Sequence, residues 1–386
     1  MRRALVAVLA AIVVGCGGAD SGTPNRGDSG TATSFDRDLG ARLQRTLDEQ
    51  RERYAIPGAS AAVIVTGKGL WAGASGKVSR GGAPVTADTL FNAGSVTKTF
   101  VAALVLDLAD EGVLRLDDAV ARWLPAYPRA GRMTVRQLLN HTSGLADFVD
   151  NPAFWEAARQ RSPKVETVEG VLGFTPAPLF EPGDGWAYSN AGYLLLGRVV
   201  ERATRSTVGR ELNRRLLEPL GLHDVLYAPE QAVPARFAHG YVDVDEDGAS
   251  EDVLPLAGVR AGRPTSAFGW ADGGVVATAR DLARWGHALY GGKVLVPAQF
   301  EQMLRFVERG AGDYGLGVER TKMSGRVGWG HTGNNIGFRA ELRHFPGAGV
   351  TVAVLWNDSR LRDDLFSPAL VAAVFEESSP RATRSS

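Results

Sequence analysis

Leu39, Leu43 and Leu47 recur every four residues among charged neighbours. That spacing places them on one face and predicts an amphipathic helix over 36–54. Apolar runs at 59–65 and 70–73 flank Gly67-Lys68-Gly69, which predicts a β-hairpin. Gly94 precedes a second helix whose stretch 100–108 is almost wholly apolar, so this helix belongs in the molecule's interior. From about 110 to 260 the signals are mostly helical, with long loops. Thr134 caps a short helix that ends near His141, and Tyr193, Leu196 and Val200 share one helical face. The stretch 207–217 carries Val208, Leu212 and Leu216, and is stopped by Pro219 and Gly221. Sheet signals return after about Ser266. Thr278 with Asp281 resembles a capping pair for a helix that runs to Tyr290 and is closed by Gly291. Residues 336–345 and 350–356 read as strands joined at Pro346-Gly347, and Ser367-Pro368 starts a last helix through Phe375.

A hairpin at each end of the chain and helices between them predict an α+β fold. The simplest packing pairs the two ends in one antiparallel sheet flanked by helices, with an inserted, mainly helical lobe. The expected bounds are a domain over 36–376, with a sheet lobe at 36–109 and 261–376 and the helical insertion at 110–260. A cleft between lobes is the natural place for a site. Ahead of the domain, Met1-Arg2-Arg3 and an apolar run over 4–14 fit a signal peptide and are too short to span a bilayer. The run ends Val13-Val14-Gly15-Cys16, which resembles a bacterial lipobox with Val13 in place of the commoner Leu. On this reading 1–15 is removed, Cys16 is acylated and holds the protein on a membrane outside the cytoplasm, and 16–35 is a flexible tether. Residues 377–386 read as a disordered tail.

Among 386 residues, 43 Lys plus Arg balance 43 Asp plus Glu. This neutrality argues against a nucleic-acid surface. One Cys excludes a disulfide framework and a thiolate zinc site within the chain. His-x-x-x-His and His-Glu pairs are absent, so neither metal nor cofactor is expected. Asp243-x-Asp245-x-Asp247-Gly248 copies the start of a calcium loop, but position twelve is Leu254 and the bidentate Glu is missing. The chain is treated as a monomer.

Three short motifs carry candidate chemistry. In Ser95-Val96-Thr97-Lys98, residues three apart on a helix share a face, so a Lys amine can reach the Ser hydroxyl. Serine needs a base before it attacks, and a Lys serves if burial lowers its pKa from about 10.4 towards 7, which takes roughly 4 kcal/mol. In Tyr188-Ser189-Asn190, the phenol beside a cationic Lys is a candidate acid or base and the Asn190 amide can hold the Lys and a substrate carbonyl; alternatively Ser189 or Asn190 merely caps a helix. In His331-Thr332-Gly333-Asn334, hydroxyl and imidazole could bind a substrate carboxylate, and Gly333 lets a substrate backbone lie close. The Asn334 and Ser95 amides could form an oxyanion hole; alternatively the segment is a glycine-rich turn. Arg320, shortly before His331, is a further candidate for a substrate carboxylate.

Together, in this order, the motifs resemble those of the serine-reactive penicillin-recognising hydrolases, the class C β-lactamases and D-Ala-D-Ala carboxypeptidases. Tyr-x-Asn is the class C and carboxypeptidase form. His331, where the related motif has Lys, resembles a subset of D,D-carboxypeptidases and D-amino-acid peptidases. The stretch 138–145, Pro182-Gly183 and Tyr314-Gly315-Leu316-Gly317 are similar to structural signatures of the same family. The resemblance covers roughly 36–375 and implies a β-lactamase/transpeptidase-like fold. It also implies Ser95 as nucleophile, Lys98 and Tyr188 sharing the proton work, Asn190 positioning, and His331 with Thr332 on the substrate. The implied substrate is a D-Ala-D-Ala-type peptide of the cell wall. An esterase or class C-like β-lactamase on the same scaffold, and a non-catalytic penicillin-binding sensor, stand as alternatives. His141, in Asn140-His141-Thr142, reads as satisfying buried backbone groups at a helix end, and no Gly-x-Ser-x-Gly elbow occurs.

Overall fold

The leucine repeat near the start forms helix α1 (Arg37–Arg53), which buries Leu39, Leu43 and Leu47 and is capped by the Asp36 carboxylate. Each buried leucine is worth about 1.5–3 kcal/mol relative to exposure. The computed structural model describes residues 35–243, 248–308, 313–360 and 365–376. The signal-peptide and lipobox reading, with Cys16, the tail at 377–386, and Asp245 and Asp247 therefore lie outside the described residues. Asp243 accepts a hydrogen bond from the Gly248 N–H at 2.9 Å.

The hairpin expected at 59–73 is present as β1 (Gly58–Val65) and β2 (Gly69–Gly76). Short strands follow: β3 (Phe91–Asn92), β4 (Val225–Tyr227), β5 (Tyr241–Val242), β6 (Glu251–Asp252) and β7 (Val275–Ala277). The last part of the chain gives β8 (Val307–Glu308), β9 (Asp313–Tyr314), β10 (Glu319–Met323), β11 (Arg326–Asn335), β12 (Phe338–Phe345) and β13 (Val350–Trp356). The main sheet runs β2-β1-β13-β12-β11-β10-β9-β8, and β1 pairs antiparallel with β13 from Ala59↔Trp356 to Val65↔Val350. The first and last hairpins thus meet in one sheet, as the layout predicts.

Alternation along β13 sorts its side chains between two cores. Val352 and Val354 pack with Leu43 and Leu47 of α1 and Leu370 of helix Ser367–Phe375. Ala353 and Leu355 face the larger core, which holds the apolar helix α2 (Thr97–Asp110) and helix Ala279–Tyr290. Phe100 stacks on Trp285 at 4.1 Å, and the Trp285 indole N–H donates to Thr99 Oγ1 at 2.8 Å. This fastens the first turn of α2 to helix Ala279–Tyr290.

The sequence pattern differs from the structure around 326–337. The glycine-rich segment is strand β11, and the turn falls one step later, at Ile336 and Gly337, where Gly337 takes φ 79°. Strand β4, within the stretch read as helical, pairs with β7, which also pairs with β3. This small sheet ties β4 to the strand just ahead of the turn that carries Ser95.

Candidate active site

Ser95 sits in a single helical turn, Gly94–Val96, that leads straight into α2. Asn92 pins this turn: its Oδ1 accepts from the Gly94 N–H at 2.9 Å, and its Nδ2 donates to the carbonyls of Gly273 at 3.0 Å and Val275 at 3.2 Å. Strand β11 passes directly beside it. A Cβ on Gly94 would lie 2.8 Å from the Asn334 nitrogen, and one on Gly333 would lie 2.1 Å from the Ala93 carbonyl oxygen. Glycine at both positions is what allows the approach. β10 pairs with β11 only as far as Glu319↔Gly330, so 331–335 has no strand partner on that side among the described residues. Asn335 and Phe338 flank a two-residue turn, so Asn334 falls in a non-hydrogen-bonded pair with Arg339 and turns its N–H out of the β11–β12 ladder.

Lys98, one helical turn after Ser95, is fully buried. Its Nζ donates to Ser95 Oγ at 3.1 Å, Asn190 Oδ1 at 2.7 Å and the Asp272 carbonyl at 2.8 Å. Those are three acceptors for three ammonium hydrogens. Burial pushes the amine down to about 8, although the carboxylates of Asp272, Asp147 and Glu319 pull it back up. A neutral amine has two hydrogens. Asn190 Oδ1 and the Asp272 carbonyl can only accept, so they hold both, and the lone pair then faces the Ser95 hydroxyl.

Helix α3 (Val135–Leu139) opens with Thr134 and Gln137 as a capping box and ends at His141 in the left-handed region, φ 63°. His141 is buried and its Nδ1 accepts the Ser189 N–H at 3.2 Å, the structural role expected of it. Its ring lies 4.3 Å from that of Tyr188 and so supports the phenol. Two further helices, α4 (Pro152–Arg159) and α5 (Val168–Leu172), precede α6 (Asn190–Thr204). Ser189 caps α6 through the Gly192 N–H, so cap and site share one tripeptide.

The Tyr188 ring lies 4.9 Å from Lys98 Nζ, and the Tyr193 ring 5.3 Å. The Tyr188 hydroxyl is buried and makes no hydrogen bond of normal geometry, yet Ser95 is close enough to favour its ionisation weakly. Burial dominates and holds the phenol well above its ordinary pKa. The group is a neutral phenol at rest.

His331 and Thr332 also converge here. His331 is buried, with Nδ1 2.5 Å from the Thr332 carbonyl and Nε2 2.8 Å from the Tyr314 hydroxyl. A carbonyl cannot donate, so Nδ1 carries the proton and Nε2 accepts from Tyr314. Burial lowers His331 to about 4, leaving it a neutral imidazole with both nitrogens engaged inside the protein. Glu319 accepts the Thr332 N–H at 3.2 Å and its hydroxyl at 3.3 Å, and pairs with buried Arg343 at 3.0 Å. Arg320 is not brought to the site. Alternation along β10 sends it to the face opposite Glu319, where it pairs with Asp313 and lies over the Phe306 ring at 4.6 Å.

The structure therefore gathers Ser95, Lys98, Tyr188, Asn190, His331, Thr332, Gly333 and Asn334. It adds Asp147, Asp272, Tyr314 and Glu319, which sequence reasoning missed. Tyr314 lay inside a flagged signature, and Glu319 follows it by five residues. The Asp272 contact is a backbone carbonyl, which any residue type supplies.

The beta-lactamase family profile matches residues 43–375. The chain is 34% identical to "Penicillin-binding protein 4" of Amycolatopsis lactamdurans over 342 residues, 82% of this chain and 85% of that one. It is 36% identical to "Esterase EstB" of Burkholderia gladioli over 251 residues, 61% of this chain and 62% of that one. Among solved structures, D-amino acid amidase from Ochrobactrum anthropi SV3 complexed with D-phenylalanine superimposes with a TM-score of 0.75 at 26% identity, covering 87% of this chain and 99% of that one.

Proposed function

The chain belongs to the beta-lactamase family of serine hydrolases, and on that premise we propose that it hydrolyses D-Ala-D-Ala-type peptides or related D-configured amides through an acyl-enzyme on Ser95. The observation that carries this reading is the placement of Lys98 Nζ, 3.1 Å from Ser95 Oγ with its other hydrogens held by Asn190 and Asp272. With a pKa of about 8, about a tenth of the amine is neutral at pH 7. Neutral Lys98 takes the Ser95 proton as Oγ attacks the carbonyl carbon. The oxyanion forms between the Ser95 and Asn334 N–H groups. The buried Tyr188 phenol protonates the leaving nitrogen and is reprotonated by the Lys98 ammonium. Water then attacks the ester, giving a proton to the same pair; the acyl C–Oγ bond breaks and the pair returns that proton to Ser95 Oγ, which regenerates the hydroxyl. The open edge of β11, with Thr332 at its margin, holds the substrate backbone.

The amidase and the penicillin-binding relative support an amide substrate, whereas the esterase supports a second reading on the same machinery. Comparison of kcat/KM on a D-Ala-D-Ala peptide, a p-nitrophenyl ester of a short acid and a cephalosporin separates them. Turnover of the D-peptide with an acyl-enzyme visible by intact mass is expected. Ester turnover without peptide turnover would overturn the peptide reading in favour of the esterase.

We further propose that Cys16 carries the lipid anchor suggested by its sequence context and places the enzyme at the cell envelope. Cys16→Ala is expected to move the protein from the membrane fraction to the soluble one. Retention on membranes by the variant would rule the anchor out.

A further inference from the structure

Lys98 is aimed only as well as its acceptors are. The Asp272 carbonyl belongs to the backbone, but Asn190 offers an amide with two faces, an oxygen that accepts and a nitrogen that donates. Were the amide turned over, its NH2 would confront the Lys98 amine, one acceptor would vanish, and the lone pair would no longer be directed at Ser95.

Besides Lys98 itself, one residue selects the first orientation. Asp147 Oδ2 accepts from Asn190 Nδ2 at 2.8 Å and from the Asn190 N–H at 3.2 Å. Its Oδ1 accepts from the Val149 N–H at 3.4 Å, where Asp147 caps the turn Phe148–Asp150. The backbone next to it is also tied to the α6 start, since Ser189 Oγ donates to the Ala146 carbonyl at 3.2 Å. Asp147 is buried.

A carboxylate at the start of a helix has an ordinary role: it satisfies an N–H and complements the helix dipole. The Asn190 backbone contact is of that kind. The Nδ2 contact is not, because it touches no backbone group and caps nothing. Its consequence is to fix the Asn190 oxygen towards Lys98.

We propose that Asp147 is a positioning residue for the hydrolytic reaction, locking the Asn190 amide so that Lys98 presents its lone pair to Ser95. The inference rests on the reading of Ser95 as nucleophile and Lys98 as base. Asp147 has a second influence through its charge. Lys98 is faced by Asp147, Asp272 and Glu319, by the neutral His331, and by the rings of Tyr188 and Tyr193. Asp147 in turn is faced by Lys98 and Asp272, and burial pushes its carboxyl up to about 6. An ionised Asp147 favours the Lys98 ammonium, so loss of that charge lowers the Lys98 pKa.

Two variants separate position from charge. Asp147→Ala removes the lock, and its kcat should fall about 100-fold with KM changed less than about threefold. Asp147→Asn keeps an oxygen for Asn190 Nδ2 but removes the charge. Its plateau kcat should return to within about fivefold of the parent, while the rising acid limb of kcat/KM moves to lower pH by about a unit. A cap alone would change the melting temperature of both variants and leave the plateau kcat of each close to that of the parent. Asp147→Asn, being isosteric, carries the test if Asp147→Ala folds poorly. A plateau kcat of Asp147→Ala within twofold of the parent, or one of Asp147→Asn as low as that of Asp147→Ala, overturns the proposal. Ser95→Ala belongs in the same assay: turnover surviving in it overturns the site reading and this proposal together, whereas an inert Ser95→Ala beside an indifferent Asp147→Ala overturns the Asp147 role alone.

Discussion

Ser95→Ala is expected to abolish covalent labelling by a fluorophosphonate or a β-lactam and to lower turnover by about 10⁴-fold or more. The geometry makes this the cleanest single-atom test of the site. The Ser95 hydroxyl is one of three acceptors for Lys98, and the other two remain in the variant. The turn that holds it is fixed by Asn92 and by Thr97 Oγ1, which accepts the Val275 N–H at 3.0 Å, neither of which involves the Ser95 side chain. The fold and the melting temperature should therefore stay close to those of the parent. Intact mass spectrometry reads the outcome directly. An adduct of unchanged mass and rate on the variant would falsify Ser95 as nucleophile and leave Lys98 with no hydroxyl to activate.

What made this residue legible is local. A Ser three residues before a Lys at the head of an apolar helix needs only helical geometry to bring the two together, and the structure does so. Strongly periodic segments were legible for the same reason. Leu39, Leu43 and Leu47 are all buried, and the apolar runs of β1 and β13 pair along their length. The sheet between them was harder. β10 reads Glu-Arg-Thr-Lys-Met and β11 carries glycines at 328, 330 and 333, so neither shows the alternation of a half-buried strand. Their partners, rather than their own propensities, make them strands. The glycines are required because Gly94 and Gly333 let two backbones meet.

Arg320 shows the converse error. Its proximity to His331 in sequence suggested a common site, but one residue along a strand reverses the face, and Glu319 took the position facing Thr332. Asp147 and Asp272 were invisible because each acts across the fold, on Asn190 and on Lys98, with no spacing rule that links them. Long-range juxtaposition within the site was readable only where three motifs together matched a known pattern.

Lys98→Met is expected to lower kcat/KM by about 10³-fold or more and, independently of activity, to remove a characteristic pH dependence of stability. Met keeps the unbranched chain that fills the site between the Tyr188 and Tyr193 rings, so packing is largely preserved. The buried amine of the parent has a pKa of about 8, below the ordinary value of 10.5, because desolvation outweighs the pull of Asp272, Asp147 and Glu319. Between pH 8 and pH 10.5 the unfolded chain therefore binds more protons at this residue than the folded one does. The sign follows: this residue makes the parent more stable as pH rises through that window, and its cost is fully present below pH 8. The size is roughly 3 kcal/mol, and Met, which binds no proton, lacks it. Urea unfolding of both proteins from pH 7.5 to 10.5 should show the parent gaining on the variant by about that amount. Parallel curves would mean that the amine keeps its ordinary pKa in the folded state. A Lys98 that is fully charged at neutral pH has no lone pair to offer Ser95, and the proton would then have to leave by way of Tyr188. That route is unfavourable, because burial holds the Tyr188 phenol in its neutral form.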